Sequence, residues 1–296
     1  MGCPKRNLAL VGLALSLATT LQAGILGDAL FSLPSKTEYL EYDNLASLRR
    51  LPNYSSLRQE FSGKSLDEAR TVLVQLGIDE SEVQEIVVAF SSNLFEGLVA
   101  GTFSVASASK NPKRNRYAAK LLDTQVFCTG RETCVVFLED SVVAFGSVAQ
   151  LKNMLLTRQG ALAGLNSNSS AVRLLNGTDQ RAPVRGILFG EQLHAAVAGM
   201  FQDWSSLKGE GSRLADTISG LGYSVTFDGK AHVNATIECT SRTTAALLSQ
   251  TFNGLAALQS FTAPLVSAAA NLPFQNVQVS SSGNVMYFRA DTQLPK

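Results

Sequence analysis

An alternation of apolar and polar residues in the last third of the chain constrains the fold more than any other feature of the sequence. Segment 231–239 reads Ala-His-Val-Asn-Ala-Thr-Ile-Glu-Cys, and segment 221–227 reads Leu-Gly-Tyr-Ser-Val-Thr-Phe. A period of two is typical of a strand whose side chains point alternately to a buried and a solvated face. We therefore expect two adjacent strands of a half-buried sheet, with Cys239 on the inner face.

The turn between these two strands decides their register. A two-residue turn would place Val225 opposite His232 and mix the two faces, because a shift of one residue moves every side chain to the other side. A three-residue turn at 228–230 pairs Val225 with Val233 instead. The sequence therefore predicts the longer turn, with Gly229 in a left-handed conformation.

Strand and helix patterns follow the same order in both halves of the chain: strand, helix, helix, strand, strand, helical segment, strand, strand. The short stretches 99–103 and 233–237 are also alike in residues. We predict an α+β fold of two tandem ferredoxin-like (split βαβ) units, each an antiparallel sheet with helices on one face. The expected divisions are a signal peptide (1–23), a first α+β domain (36–160), a linker rich in Asn, Ser and Gly (161–182) and a second α+β domain (183–296).

The N-terminus has the pattern of a secretory signal. Lys5 and Arg6 precede a stretch without charge that runs to residue 27, and small residues follow its apolar part. We expect a bacterial-type exported protein, periplasmic or extracellular. The alternative is an N-terminal membrane anchor, since the uncharged stretch is about long enough to span a bilayer. No other segment reaches that length, so no integral membrane segment is expected after cleavage.

The composition excludes several function classes. Net charge is +1 and charged residues make up 17% of the chain, which argues against a dedicated nucleic-acid binder. Two His and four Cys leave little material for a zinc site, and no phosphate-binding loop or nucleophile elbow occurs. Ser-x-x-Lys occurs at 107–110 and 205–208, without the other motifs of acyl-transfer enzymes. We expect neither a cofactor nor catalytic residues.

Two cysteines lie at the ends of a predicted hairpin loop. Cys128 and Cys134 face each other if the flanking strands pair symmetrically, and an exported protein meets an oxidising compartment. The sequence therefore leaves two alternatives open, a disulfide or two free half-buried thiols.

Two weak surface sites remain. His232 and Glu238 share the polar face of one strand and could bind a ligand or metal, although an ordinary solvated face explains them better. Lys113, Arg114 and Arg116 form a basic cluster that could meet an anionic surface, or simply keep a loop in solution.

Residues 137–147, Phe-Leu-Glu-Asp-Ser-Val-Val-Ala-Phe-Gly-Ser, predict a strand, a turn and a second strand, and a helix follows at 148–156. In this pattern the chain resembles uncharacterised exported bacterial proteins with two tandem α/β repeats. The resemblance implies export and a repeated fold, and it brings no residue role with it.

Three functions fit these observations. The first is an exported, non-enzymatic protein that binds an unknown protein or envelope component, without nucleic acid, through its exposed sheet faces. The second is an envelope hydrolase that uses the Ser-x-x-Lys residues or the His232–Glu238 pair. The third is a small-ligand carrier. The scarcity of His, Cys and charge favours the first.

Overall fold

Twelve strands form one sheet in the part of the chain that the computed structural model describes, which is residues 24–55, 73–74, 78–91, 94–103, 118–128, 133–202, 211–257 and 274–294. The strands are β1 (Tyr39–Asn44), β2 (Val83–Ser91), β3 (Leu94–Gly101), β4 (Ala118–Leu121), β5 (Thr124–Cys128), β6 (Cys134–Glu139), β7 (Val142–Gly146), β8 (Val184–Leu188), β9 (Ile218–Phe227), β10 (Lys230–Cys239), β11 (Phe274–Ser282) and β12 (Val285–Gln293). The α-helices are α1 (Ile25–Ser32), α2 (Leu45–Leu48), α3 (Val148–Arg158), α4 (Ser169–Asn176), α5 (Gly190–Gln202), α6 (Gly211–Ala215) and α7 (Arg242–Ala257). The predicted α+β class is confirmed.

The strand order joins the two halves of the chain. It runs β11-β12-β10-β9-β8-β1-β2-β3-β7-β6-β5-β4, and every neighbouring pair is antiparallel. The prediction of two separate ferredoxin-like sheets is therefore corrected. The first strand of each half has a row of backbone donors and acceptors on its outer edge, and such edges need a partner. β1 and β8 supply it to each other, from Tyr39 opposite Leu188 to Asp43 opposite Val184.

Outward from this central pair, the order is β1-β2-β3-β7-β6 in one direction and β8-β9-β10-β12-β11 in the other. The two successions correspond strand by strand, and the hairpin of β4 and β5 extends the first. The strands before residue 160 and those after residue 183 lie on opposite sides of the junction between β1 and β8, within one sheet, and their division into two domains stays a prediction. Descent of the two halves from one duplicated unit stays a prediction.

Helices cover both faces of the sheet near its centre, which corrects the expectation of helices on one face. Buried residues of α1, α3 and α4 belong to one apolar cluster, and those of α2, α5, α6 and α7 belong to the other. The strand β2 shows why: Ile86 and Val88 join one cluster, whereas Val87 and Ala89 join the other. The run 86–90 of this strand is apolar at every position, and such a run needs cover on both sides.

Residues 161–182 are folded, so the prediction of a linker is wrong. A 3-10 turn (Leu165–Ser167) and α4 lie within them, and Leu165, Leu174 and Leu175 are buried. The polar residues that suggested a linker serve as local caps. The side chain of Asn168 accepts a hydrogen bond from the backbone N–H of Ala171 at the start of α4.

The hairpin of β9 and β10 has the predicted register. Val225 lies opposite Val233 and Tyr223 opposite Ala235, and Gly229 has a φ of 97° in the connecting turn. This conformation is readily adopted by glycine, which has no Cβ. Cys239 is buried at the inner end of β10, as expected.

Cys128 and Cys134 form a disulfide bond between β5 and β6, which confirms the first of the two alternatives. They are directly paired in the strand register, so their side chains lie on the same face of the sheet. The bond closes the loop between these two strands.

The short helix expected at 213–220 is α6, and β9 begins within the predicted helical range at Ile218. Three other expectations lie outside the described residues: the signal peptide at 1–23, the basic cluster of Lys113, Arg114 and Arg116, and both Ser-x-x-Lys stretches. Within the described residues, no helix combines the length and apolar character needed to cross a membrane.

Candidate functional site

One face of the outer strands of the second half carries polar side chains and has no helix over it among the described residues. The opposite face of β9, β10 and β12 is apolar and packs in the core. We call the uncovered surface the polar platform. Its residues share a face of β10, β12 and β11, and they are Asn234, Thr236, Tyr287, Arg289, Gln278 and Ser280.

Strand register arranges the platform in two rows. Thr236, Tyr287 and Ser280 lie side by side across the three strands in the first row. Asn234, Arg289 and Gln278 form the second row. Neighbouring strands are about 4.8 Å apart, so each row spans about 10 Å. The alternation of the strands therefore places six polar side chains within reach of one ligand.

Helix α4 bounds the platform on the β9 side. A Cβ atom at Gly222 would lie 3.0 Å from the carbonyl oxygen of Leu174, and one at Gly220 would lie 2.7 Å from a methyl carbon of Leu174. These two glycines therefore allow α4 to pack closely on β9. From this helix, the Arg173 guanidinium binds both carboxylate oxygens of Glu238, at 2.6 and 2.8 Å.

His232 closes the other end of the platform, between two carboxylates. Its Nδ1 lies 2.7 Å from Asp291 and its Nε2 lies 2.5 Å from Asp228, and Asn276 donates to the second oxygen of Asp291. Hydrogen bonds to Asp228 and then Asp291 raise the pKa of His232. The pKa of Asp291 is lowered by its hydrogen bonds with Asn276 and His232. This geometry suits the protonated imidazolium, in which both nitrogens donate.

The structure separates the predicted pair of His232 and Glu238. The two residues lie six positions apart on β10, about 20 Å at the usual rise of a strand, and each is held by its own partners. The sequence missed these partners because Arg173 lies in the supposed linker and Asp291 on a strand far along the chain. The other histidine, His194, is half-exposed, with its Nδ1 3.6 Å from Asp216.

Arg289 differs from Arg173 and His232, the paired cations around the platform. Within the described residues it has no ion pair, whereas Arg173 binds Glu238, and His232 contacts Asp228 and Asp291. It is exposed at the middle of the second row, between Asn234 and Gln278. No local sequence pattern singles it out, because its importance depends on the pairing of its neighbours.

A second polar cluster is buried at the centre of the sheet. Tyr223 donates a hydrogen bond to the carboxylate of Glu41, and the buried carboxyl of Asp43 lies two residues further along β1 on the same face. Burial raises the pKa of Glu41, and burial followed by the charge of Glu41 raises that of Asp43. The absence of a side chain at Gly186 makes room for the Tyr223 ring. This cluster is enclosed, in contrast to the platform.

A third polar cluster lies under the start of α3, on the face of the sheet opposite to the Glu41 cluster. The Ser91 hydroxyl donates to Glu96 at 2.8 Å and shares a hydrogen bond with Thr37. Burial raises the pKa of Glu96 to about 7, although the Ser91 hydrogen bond and the charge of Lys36 oppose the shift. Searched over the described residues, His, Cys, Asp and Glu form no group of three that could hold a metal ion.

The fold defines a mixed α and β protein built on one twelve-stranded antiparallel sheet, and the polar platform is its candidate binding surface. No protein-family model matches the sequence, and no curated protein matches it either. Similarity appears at the level of solved structures.

The structural neighbours include three crystal forms of the protein TP0453. Form I superposes with a TM-score of 0.54 at 10% sequence identity, covering 89% of this chain and 92% of the other. Form III gives a TM-score of 0.52 at 10% identity over 89% and 93% of the two chains. Form IV gives 0.53 at 9% identity over 92% and 94%. The likeness covers most of both chains and concerns the fold alone.

Proposed function

We propose that this protein is an exported, non-enzymatic component of a bacterial envelope that binds a partner through the polar platform. The observation that carries the proposal is the uncovered face itself. The central strands are covered on both sides, whereas the outer strands have a polar face that is exposed on β11 and β12 and half-buried on β10. Function tends to reside where a rigid scaffold presents side chains to solvent.

Two features support export, to the periplasm or the cell exterior. The basic residues Lys5 and Arg6 followed by an apolar stretch are typical of a signal peptide. The disulfide between Cys128 and Cys134 fits an oxidising compartment, since structural disulfides are rare in the cytosol.

The site geometry does not support the form of the hydrolase alternative that uses the His232–Glu238 pair, and the Ser-x-x-Lys form concerns residues outside the described ones. Its proposed His–Glu pair would need the two side chains to converge, because a general base must lie within hydrogen-bond reach of the proton that it takes. Instead, Glu238 is bound by Arg173, and His232 lies between two carboxylates. We therefore favour binding over catalysis.

Site-specific photo-crosslinking tests the proposed function. A photoreactive amino acid replaces Gln278 on the platform in one variant and Lys152, an exposed residue of α3, in the control. We expect crosslinked adducts in intact cells from position 278 and few from position 152. Equal yields from both positions, or none from position 278, would contradict the proposal.

A further inference from the structure

We propose that the polar platform binds an acidic polysaccharide, with a sugar ring stacked on Tyr287, a carboxylate held by Arg289, and hydroxyl groups hydrogen-bonded by the surrounding amides and hydroxyls. This inference rests on the proposed binding role of the platform and adds the class of ligand. It follows from the chemistry of the six side chains and from the charges around them.

The uncharged members of the platform suit a ligand rich in hydroxyl groups. Asn234 and Gln278 each present an amide with donors and an acceptor, and Thr236 and Ser280 each present a hydroxyl that does both. A sugar hydroxyl also donates and accepts. The amides flank Arg289 in one row and the hydroxyls flank Tyr287 in the other, so polar contacts are available on both sides of a bound ring.

Tyr287 is the one large apolar side chain exposed on the platform, at 44%. The other exposed large apolar residues of the described chain lie elsewhere, for example Phe31, Val148 and Leu247. The core of a protein–protein interface is usually a patch of several aromatic or aliphatic side chains. A single ring among amides and hydroxyls fits the C–H face of a sugar better than it fits a protein partner.

Arg289 indicates that the ligand is an anion. Its guanidinium is planar and presents a fork of donors that matches a carboxylate. Two of the nearby cations are already engaged, since Arg173 binds Glu238 and His232 contacts Asp228 and Asp291. Lys230 lies beyond His232 at the end of β10, where its charge acts on Asp291. Among the described residues, Arg289 is therefore the cation that lies within the two rows of the platform.

The charge pattern argues against membranes and nucleic acid as the ligand. Binding to anionic lipid takes a cluster of basic residues or an inserted apolar face, and nucleic-acid binding takes several phosphate contacts. The platform has a single Arg, and the carboxylates of Asp228 and Asp291 lie beside it. One cation suits a polymer with widely spaced carboxylates, such as one with a uronic acid in each repeat.

Isothermal titration calorimetry with a hexasaccharide that has one uronic acid in each disaccharide repeat tests the inference on the full chain with its disulfide intact. The comparison ligand is the same hexasaccharide with its carboxylates reduced to alcohols. We expect the acidic form to bind at least about tenfold more tightly, because the reduced form has no carboxylate to make a hydrogen-bonded ion pair with Arg289.

Three variants locate the binding. Arg289→Gln should weaken binding of the acidic hexasaccharide at least about tenfold and abolish the preference over the reduced form. Tyr287→Ala should weaken both ligands. Arg242→Gln, the matched control, changes an exposed arginine on α7 and should bind as the wild type does. Unchanged thermal unfolding of each variant shows that the fold persists.

The inference is overturned if Arg289→Gln binds the acidic hexasaccharide as tightly as the wild type. It is also overturned if neither hexasaccharide binds at millimolar concentration, or if anionic phospholipid vesicles bind instead and lose affinity in Arg289→Gln. In the last two cases the crosslinks from position 278 decide about the proposed function. Their presence would leave a platform that binds another class of partner, and their absence would remove the binding role as well.

Discussion

The central strands β1 to β3 and the outer strands β10 to β12 belong to one sheet, yet they differ in how their two faces are buried. In the centre, successive residues such as Val87 and Val88 are both buried, in separate apolar clusters. In the outer strands, Phe288 is buried and its neighbours Tyr287 and Arg289 are exposed. One continuous sheet can therefore provide both a core on its two faces and, further out, a surface for recognition.

Truncating one buried residue in the centre and one exposed residue on the platform tests this difference most strongly. Leu98 on β3 is fully buried, so Leu98→Ala should lower the free energy of unfolding by about 3 kcal/mol or more. Tyr287→Ala removes a larger side chain from the platform and should cost less than about 1 kcal/mol. Urea denaturation measures both. Similar losses would show that the platform is covered.

Titration of Glu96 tests the covered region by pH. Its pKa in the folded protein is raised from 4.5 to about 7, so the folded state holds the proton more tightly than the unfolded state does. This stabilisation is fully present below pH 4.5 and is lost as pH rises to about 7. Relative to Glu96→Gln, the wild type should lose about 3 kcal/mol over this range. A constant difference between the two proteins would contradict the assignment.

A glycine substitution in the central strands, compared with one in α7, tests how tightly the centre is packed. A Cβ atom at Gly186 would lie 2.4 Å from the Tyr223 ring, so Gly186→Ala should destabilise the fold by about 2 kcal/mol. The control is Gly254 in α7, where a Cβ atom meets nothing within 4 Å. Gly254→Ala should be neutral or stabilising by about 0.5–1 kcal/mol. Melting temperatures by circular dichroism distinguish the two outcomes, and equal effects would show that the centre tolerates the extra atom.

Titration of His232 is the pH test of the uncovered platform and corresponds to that of Glu96 in the covered region. Its expected effect on stability is the smallest of these predictions. Hydrogen bonds to Asp228 and Asp291 raise its pKa above 6.5, so its contribution to stability is present below pH 6.5 and disappears as pH rises through the folded value. An NMR titration of the imidazole ring should give a pKa above 6.5. Asp291→Asn should move the pKa down. A ring that titrates at or below 6.5 in the wild type would show that the two carboxylates do not hold it.

Local sequence patterns predicted the features that depend on local chemistry. The alternation in β9 and β10 fixed the pairing of Val225 with Val233, because a shift of one residue would have exposed the apolar set. The spacing of Cys128 and Cys134 within a hairpin similarly indicated their disulfide. In both cases the two strands are neighbours in the chain.

Long-range features were beyond these patterns. The pairing of β1 with β8 depends on which strand edges are left over, and no residue of either strand specifies the partner. The ion pair of Arg173 and Glu238 joins residues 65 positions apart, one of them in a stretch whose Asn and Ser content suggested a linker. The same limit applies to Arg289, whose role depends on the pairing of charges on other elements.

Hydroxyl-radical footprinting tests the central claim, that the polar platform is the binding surface, most directly. Tyr287 and Phe31 are exposed aromatic side chains with nearly equal exposure, 44% and 45%, and Phe31 lies on α1 away from the platform. Both should be labelled in the purified protein. In intact cells, Tyr287 should become protected while Phe31 keeps its labelling. A ratio of the two that is the same in cells and in the purified protein would contradict the account.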